Sequence, residues 1–196
     1  MRSSANRFSF ASAALLAVVL SASGARAQSP PARSSLPPGS AAVLDVALYT
    51  AGANMQEASD SGRARLATSV LRGKLAELLG PALADSAAVA RRANAPEIHE
   101  LAGDHPCNVI VACARAVARD VGAKWVVLAK VSKTSNLIWL LTGQLVNAAT
   151  GEIVLDDSTE LKGDPEAMIR AGTRIFAERV ARAVEERELG PRGEHP

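Results

Sequence analysis

Apolar positions along this chain follow two periods. From Ala123 to Glu160 (AKWVVLAKVSKTSNLIWLLTGQLVNAATGEIVLDDSTE) they run together or alternate, which predicts three consecutive strands. Trp125 to Ala129 is a short apolar run rich in β-branched residues, suited to a strand covered on both faces. Leu137 to Val146 is a second apolar run, too short to cross a bilayer as a helix and enriched in strand formers. Asn147 to Gly151 supplies turn chemistry, with Gly151 free to take a positive φ. Ile153-Val154-Leu155 then begins a third strand that turns polar through Asp156, Asp157 and Ser158. Between the first two strands, Lys130, Ser132 and Lys133 to Asn136 are expected to form a polar hairpin tip. Lys133, Ser135 and Asn136 there would either be solvated or present donors to an anion or a partner.

Elsewhere the spacing is helical. Ala67, Val70, Leu71, Leu75, Leu78 and Leu79 recur at i, i+3 and i+4, predicting a helix from about Gly62 to Leu79, capped by Asp60 or Ser61 and ended by Gly80-Pro81. Arg63, Arg65, Arg72 and Lys74 occupy the rest of its surface. Val109 to Asp120 reads as a second helix, with Ile110, Ala114, Val117 and Val121 on one face and Gly122 beyond its end. Asp164-Pro165-Glu166 is a helix start: an N-cap acid, proline at the first position and an acid in the first turn. Met168, Ile169, Gly172, Ile175, Phe176, Ala183 and Val184 form its apolar face through about Glu186. The arginines of this helix intermix with glutamates, which suggests pairing at i, i+4.

Three segments read less clearly. Ala42 to Leu48 is an apolar run interrupted by Asp45, and predicts a first strand. Its acid is either a carboxylate at an active site or one satisfied at a sheet edge. Ala-rich Leu83 to Val89 suggests a weak strand, and Arg91 to Glu100 is polar and partly helical. The combined pattern predicts an α/β (α+β) fold of two layers. One mixed sheet, ending in a three-stranded antiparallel meander over 123–160, carries about three packed helices.

Composition changes the picture mainly through the N-terminus. Arg2 and Arg7 precede an apolar stretch from about Phe8 to Leu20 and then Ala25-Arg26-Ala27, the layout of a secretory signal cleaved after Ala27. The apolar stretch is several residues short of the ~20 needed to span a membrane, and no cysteine adjoins the cleavage site. The expected organisation is a signal (1–27), a Pro/Ser-rich linker (28–40), one α/β domain (41–187) and a polar tail (188–196). The full chain has 22 Lys+Arg and 20 Asp+Glu. Arg2, Arg7 and Arg26 leave with the signal and no acid does, so 19 bases would face 20 acids. That balance favours neither nucleic acid nor an anionic membrane. Aromatic residues at 3% argue further against a stacking surface for single strands.

Cys107 and Cys113 are the two cysteines. In an exported chain an even count favours a disulfide. The competing reading is a metal site, since His99, His105, Cys107 and Cys113 fall within fifteen positions among Glu97, Glu100 and Asp104. The C-x5-C spacing, however, is not the usual zinc knuckle. Phosphate-binding glycine loops, the G-x-S-x-G elbow and H-E-x-x-H are all missing from the sequence. An unrecognised hydrolase would have to use Asp45 with His99 or His105.

Further residues carry a resemblance. Gly122-Ala123 enters the β-run, Lys133 precedes Ser135-Asn136-Leu137-Ile138, and Thr150-Gly151-Glu152 stands at the next turn. Cys113 lies nine residues before the Gly-Ala pair. In these the segment from Cys107 to Lys162, with a weaker echo at Val43-Leu44-Asp45, resembles a family of small secreted bacterial proteins known as a domain of unknown function. Wider cysteine spacing and Thr134 in place of an apolar residue depart from that pattern. More distantly, the element order is similar to the small α/β domain that precedes the propeller of TolB. The resemblance implies no chemistry and no cofactor. The function expected is a non-catalytic periplasmic or secreted accessory protein that binds another envelope protein, without nucleic acid or stable membrane insertion. The alternative is a small-ligand or metal-binding module using residues 97–113.

Overall fold

The computed structural model describes residues 36–50, 57–103 and 105–190. The expected signal segment (1–27), the linker up to residue 35 and the tail from residue 191 lie outside the described residues. Among the described residues, no helix is long and apolar enough to cross a membrane. Within the described residues five strands form one sheet: β1 (Ala41–Val43), β2 (Ala47–Thr50), β3 (Trp125–Lys133), β4 (Ile138–Asn147) and β5 (Ile153–Lys162). Five α-helices of the described residues surround it: α1 (Asp60–Leu79), α2 (Ser86–Ala93), α3 (Pro96–Ala102), α4 (Val111–Asp120) and α5 (Pro165–Leu189). β1 and β2 follow one another along one edge of β3, both parallel to it. On the other side β3, β4 and β5 form the expected antiparallel meander.

The mixed α/β class is as the sequence predicts, but the helices divide over both faces of the sheet. Alternate residues of a strand face opposite sides. Accordingly Trp125, Val127, Ala129 and Val131 of β3 join the apolar faces of α1 and α5 in one cluster. Val126 and Leu128 join α2, α3 and α4 in another. The second cluster covers β1, the first half of β3 and the end of β4 at Val146, and stops there. Beyond Leu128, that face of the sheet is open.

α5 follows its predicted start, with the Asp164 carboxylate accepting from the Ala167 N–H at 2.8 Å. Its buried stripe runs through Ile169, Thr173, Phe176, Val180 and Val184, while Ile175 is exposed, against expectation. Phe176 sets this rotation, because its ring lies where a Cβ on Gly143 of β4 would stand. Two of its arginines reach out of the helix to β5 and the turn before it. Arg179 clamps Asp157 of β5 through both carboxylate oxygens, at 2.6 and 2.7 Å, and Arg187 reaches Glu152 at 3.1 Å.

Three further expectations are corrected. Leu83–Val89 is not a strand. Leu83 makes one bridge to Ala41, and Asp85 then accepts from the Ala88 N–H at 2.7 Å and starts α2 in an Ala-rich stretch that favours helix. Asp60 is the first residue of α1 rather than a cap outside it, and it is buried. Leu36 and Ser40, assigned to the linker, are buried against the domain, and Gly39 N–H donates to the Pro81 carbonyl at 2.9 Å. The run Ala42–Leu48 is broken at Leu44-Asp45-Val46, and the candidate site is built on that break.

Candidate functional site

An acid in the middle of an apolar run cannot stay in register on a doubly covered strand. The chain resolves this with one extra residue: Leu44, Asp45 and Val46 stand against only Leu128 and Ala129 on β3. Such a bulge turns one side chain outward and leaves backbone groups without ladder partners. Here Leu44 and Val46 stay buried while Asp45 is exposed.

Distant side chains close the orphaned groups. Val46 N–H donates to Thr68 Oγ1 at 2.9 Å. The Asp45 carbonyl accepts from Asn108 Nδ2 at 2.7 Å. Arg72 reaches the Val43 carbonyl at 3.4 Å and pairs with the Asp45 carboxylate at 2.9 Å. Thr68 and Arg72 come from α1. Asn108 comes from the 3-10 turn Cys107–Val109, which the Cys107–Cys113 disulfide holds against the start of α4.

Two cavities flank Asn108. One, of about 150 Å³, lies beside the break and is bordered by Asp45, Arg72, His99 and Asn108 on its polar side and by Leu44 and Val89 among its apolar residues. The other, of about 160 Å³, lies on the open sheet face between Asn108-Val109 and Lys130, Thr142 and Gln144. Three buried polar atoms here have no hydrogen-bond partner: Arg72 Nε, Asn108 Oδ1 and Thr142 Oγ1. Buried polar groups are seldom left so, and such atoms mark places where a ligand or water has something to satisfy.

The predicted residues separate. Asp45, His99 and Cys107 meet at the first cavity, whereas His105 does not line it. Cys107 and Cys113 are bonded to each other, so the metal alternative with His99 and His105 loses both thiolate donors. Among the described residues, no group of three or more His, Cys, Asp or Glu is placed to hold a metal ion.

The expected hairpin-tip triad does not converge either. β3 extends through Lys133, and the tip proper is Thr134 to Leu137. Ser135 Oγ is occupied by the N–H groups of Leu137 and Ile138 at 3.3 and 3.1 Å, and Asn136 is exposed. Lys133 is turned inward at 2% exposure, paired with Glu57 at 2.6 Å and with fully buried Asp60 at 3.4 Å. Asp60 also pairs with Arg63, whose guanidinium stacks 4.9 Å from the centre of the Trp139 ring. Glu57, and then Asp60, hold the Lys133 ammonium above the usual lysine range, against burial. Burial pushes the Asp60 carboxyl up, but the Glu57 backbone N–H, Lys133 and Arg63 outweigh it and hold it below the usual aspartate value. This cluster joins the start of α1 to the end of β3 and is structural in character.

Comparison with known proteins follows the same boundaries. The family model DUF3280, described as a protein of unknown function (DUF2380), matches residues 39–180. The chain belongs to that family. The DUF3280 match runs from just before β1 into α5, so it takes in the strand break, the disulfide turn, both cavities and the whole meander. It bears out the resemblance to a family of unknown function. No curated protein matches the chain. Among solved structures, the chain is similar to the LpoB C-terminal domain from Salmonella enterica, at 22% identity over 66% of this chain and 87% of that one, TM-score 0.42. It is also similar to the PelC dodecamer from Paraburkholderia phytofirmans (15% identity, 75% and 87% covered, TM-score 0.37). A third is the lipoprotein GNA1162 from Neisseria meningitidis (12% identity, 64% and 81% covered, TM-score 0.41). Scores this low carry no argument about function.

Proposed function

We propose that this DUF3280 protein is a non-catalytic accessory protein of the cell envelope, exported by its N-terminal segment, that binds another envelope protein. The observation that carries this reading is the half-open sheet. On the face that α2–α4 leave uncovered, half-buried Ile138 and Leu140 stand among Lys130, Ser132, Thr142 and Gln144. Tyr49 and Leu137, at 57% and 72% exposure, lie at the border. An apolar centre with a polar rim is the composition of a reversible protein interface. A Leu140→Glu variant tests the reading. It should fold with an unchanged melting temperature and lose most of the partner recovered from cross-linked cells. Equal recovery from both proteins would refute it.

A second reading, a small-ligand module on residues 97–113, is favoured by one observation. His99, Cys107 and Asn108 from that segment line the cavity beside the strand break.

A further inference from the structure

We propose that the outer edge of β5 accepts an extended segment of the envelope partner as an added strand, with basic residues on its open-face side alternating with apolar residues on its α5 side. The inference rests on the partner-binding reading above and gives the partner its chemistry.

The two edges of the sheet are built differently. On one side β1 and β2 are three and four residues long and are separated by the break at Asp45. Short, interrupted edges of this kind are kept from pairing with other chains. On the other side β5 runs for ten residues, holds no proline and carries its lysine at the last position. Its register with β4 is continuous from Leu155 to Lys162, and the one irregularity lies before that, at Leu145/Val146. Among the described residues β5 pairs with β4 alone, and no other backbone group bonds to it between Ile153 and Lys162. Every second residue of such a strand turns its N–H and C=O outward, where an added strand satisfies them in pairs.

Charge selects the added strand. Asp156, Ser158 and Glu160 lie on the open face, opposite Gln144, Thr142 and Leu140, and both acids are exposed. Glu160 has only Lys162 of its own strand at 3.4 Å, and among the described residues Asp156 has no ion-pair partner. A lysine or arginine set opposite either acid makes a favourable cross-strand pair, and an acid there is repelled. The same rule turns away a second copy of this chain in its two longest registers. Pairing two β5 edges about a twofold axis at Ser158 sets Asp156 against Glu160 twice, and about Asp157 it sets two aspartates face to face.

The α5 side supplies the apolar half. Ile175 is 47% exposed although its spacing assigns it to the apolar stripe. It stands one turn before Arg179, on the same flank of the helix. Leu161 lies against Gly172, and Arg179 holds Asp157, so α5 runs back along β5 and Ile175 falls between these levels, near Thr159. An apolar side chain opposite Thr159 on an added strand packs beneath Ile175 and removes it from water.

The test titrates the isotope-labelled full protein with a peptide of alternating valine and lysine as long as Leu155–Lys162. Two controls run beside it: alternating valine and glutamate, and the valine–lysine peptide with its two central residues replaced by proline, which keeps most of the charge but cannot pair. The valine–lysine peptide should slow hydrogen exchange at alternate amides between Leu155 and Leu161 by about tenfold or more and shift the Ile175 methyl signals. Neither control should do so. Ile175→Ala should weaken binding by about fivefold to tenfold, the effect of losing one half-buried apolar side chain. Asp156→Asn with Glu160→Gln should remove the preference for lysine over glutamate. Equal protection by the glutamate peptide overturns the charge selection, and equal protection by the proline peptide overturns the strand pairing. If no peptide protects β5, the inference falls, and the sheet-face reading still stands provided that Leu140→Glu loses the cellular partner.

Discussion

Gly143 shows how a single residue fixes the packing of a layer. A Cβ at this position would come within 2.2 Å of the Phe176 ring, which is itself buried in the cluster beneath α5. The ring is rigid and enclosed, so Gly143→Ala is expected to destabilise by about 1–3 kcal/mol, the range for overpacking a core, as read by chemical denaturation. The buried carboxyls make a second prediction at this scale. Asp60 and Glu188 are both pushed up by burial, yet both sit below their usual values. For Glu188 the Lys124 ammonium and the Trp125 indole N–H, each at 2.7 Å, outweigh burial. A carboxyl lowered in the folded state contributes stability that is complete above its unfolded value, about 4, and is lost as pH falls through the folded value. Melting temperatures should therefore fall below about pH 4. Glu188→Gln should lower the melting temperature at neutral pH and flatten the acid decline.

Among the elements, the 3-10 turn Cys107–Val109 and the break it faces form one unit. Replacing both cysteines by serine removes a constraint worth about 2 kcal/mol in the chain-entropy account for so short a loop. It should also broaden the Asn108 amide signals, because that turn aims Nδ2 at the Asp45 carbonyl. Unchanged stability and sharp Asn108 signals in the double variant would show that the turn holds itself. At α5, Asp164→Ala removes the acceptor for the Ala167 N–H and should cost about 1 kcal/mol in thermal or denaturant unfolding.

These elements also show what can be read from sequence and why the rest cannot. The meander is local: β-branched runs, an Asn147 side chain accepting from the next N–H groups, and Gly151 at positive φ, all within forty residues. The break in the first strand announced itself only as an acid in an apolar run. The groups that make it tolerable, Thr68, Arg72 and Asn108, lie 22, 27 and 63 residues beyond their partners Val46, Asp45 and Asp45. Lys133 looked like a hairpin-tip residue because its partner Asp60 is 73 positions earlier. Asp85 carried a legible signal, an N-cap, that the alanines after it should have reinforced.

For the whole molecule, the governing feature is a sheet covered completely on one face and halfway on the other. α1 and α5 close the first face from β1 to β5, and Arg179 ties α5 to the outer strand. α2, α3 and α4, held by the disulfide turn, close only β1, the first half of β3 and the end of β4 at Val146. The remaining half-face is where we place partner binding, and the outer edge of β5 is where we place the partner's strand.

The most direct measurement is a photo-crosslinking scan along β5 in living cells. Register places Ser158 and Glu160 opposite Thr142 and Leu140 on the open face, and Asp157 and Thr159 opposite Gly143 and Leu141 beneath α5. The account predicts a partner adduct of one defined mass, with far higher yield from positions 158 and 160 than from 157 and 159. Adducts of equal yield from all four positions, or from none, would contradict it.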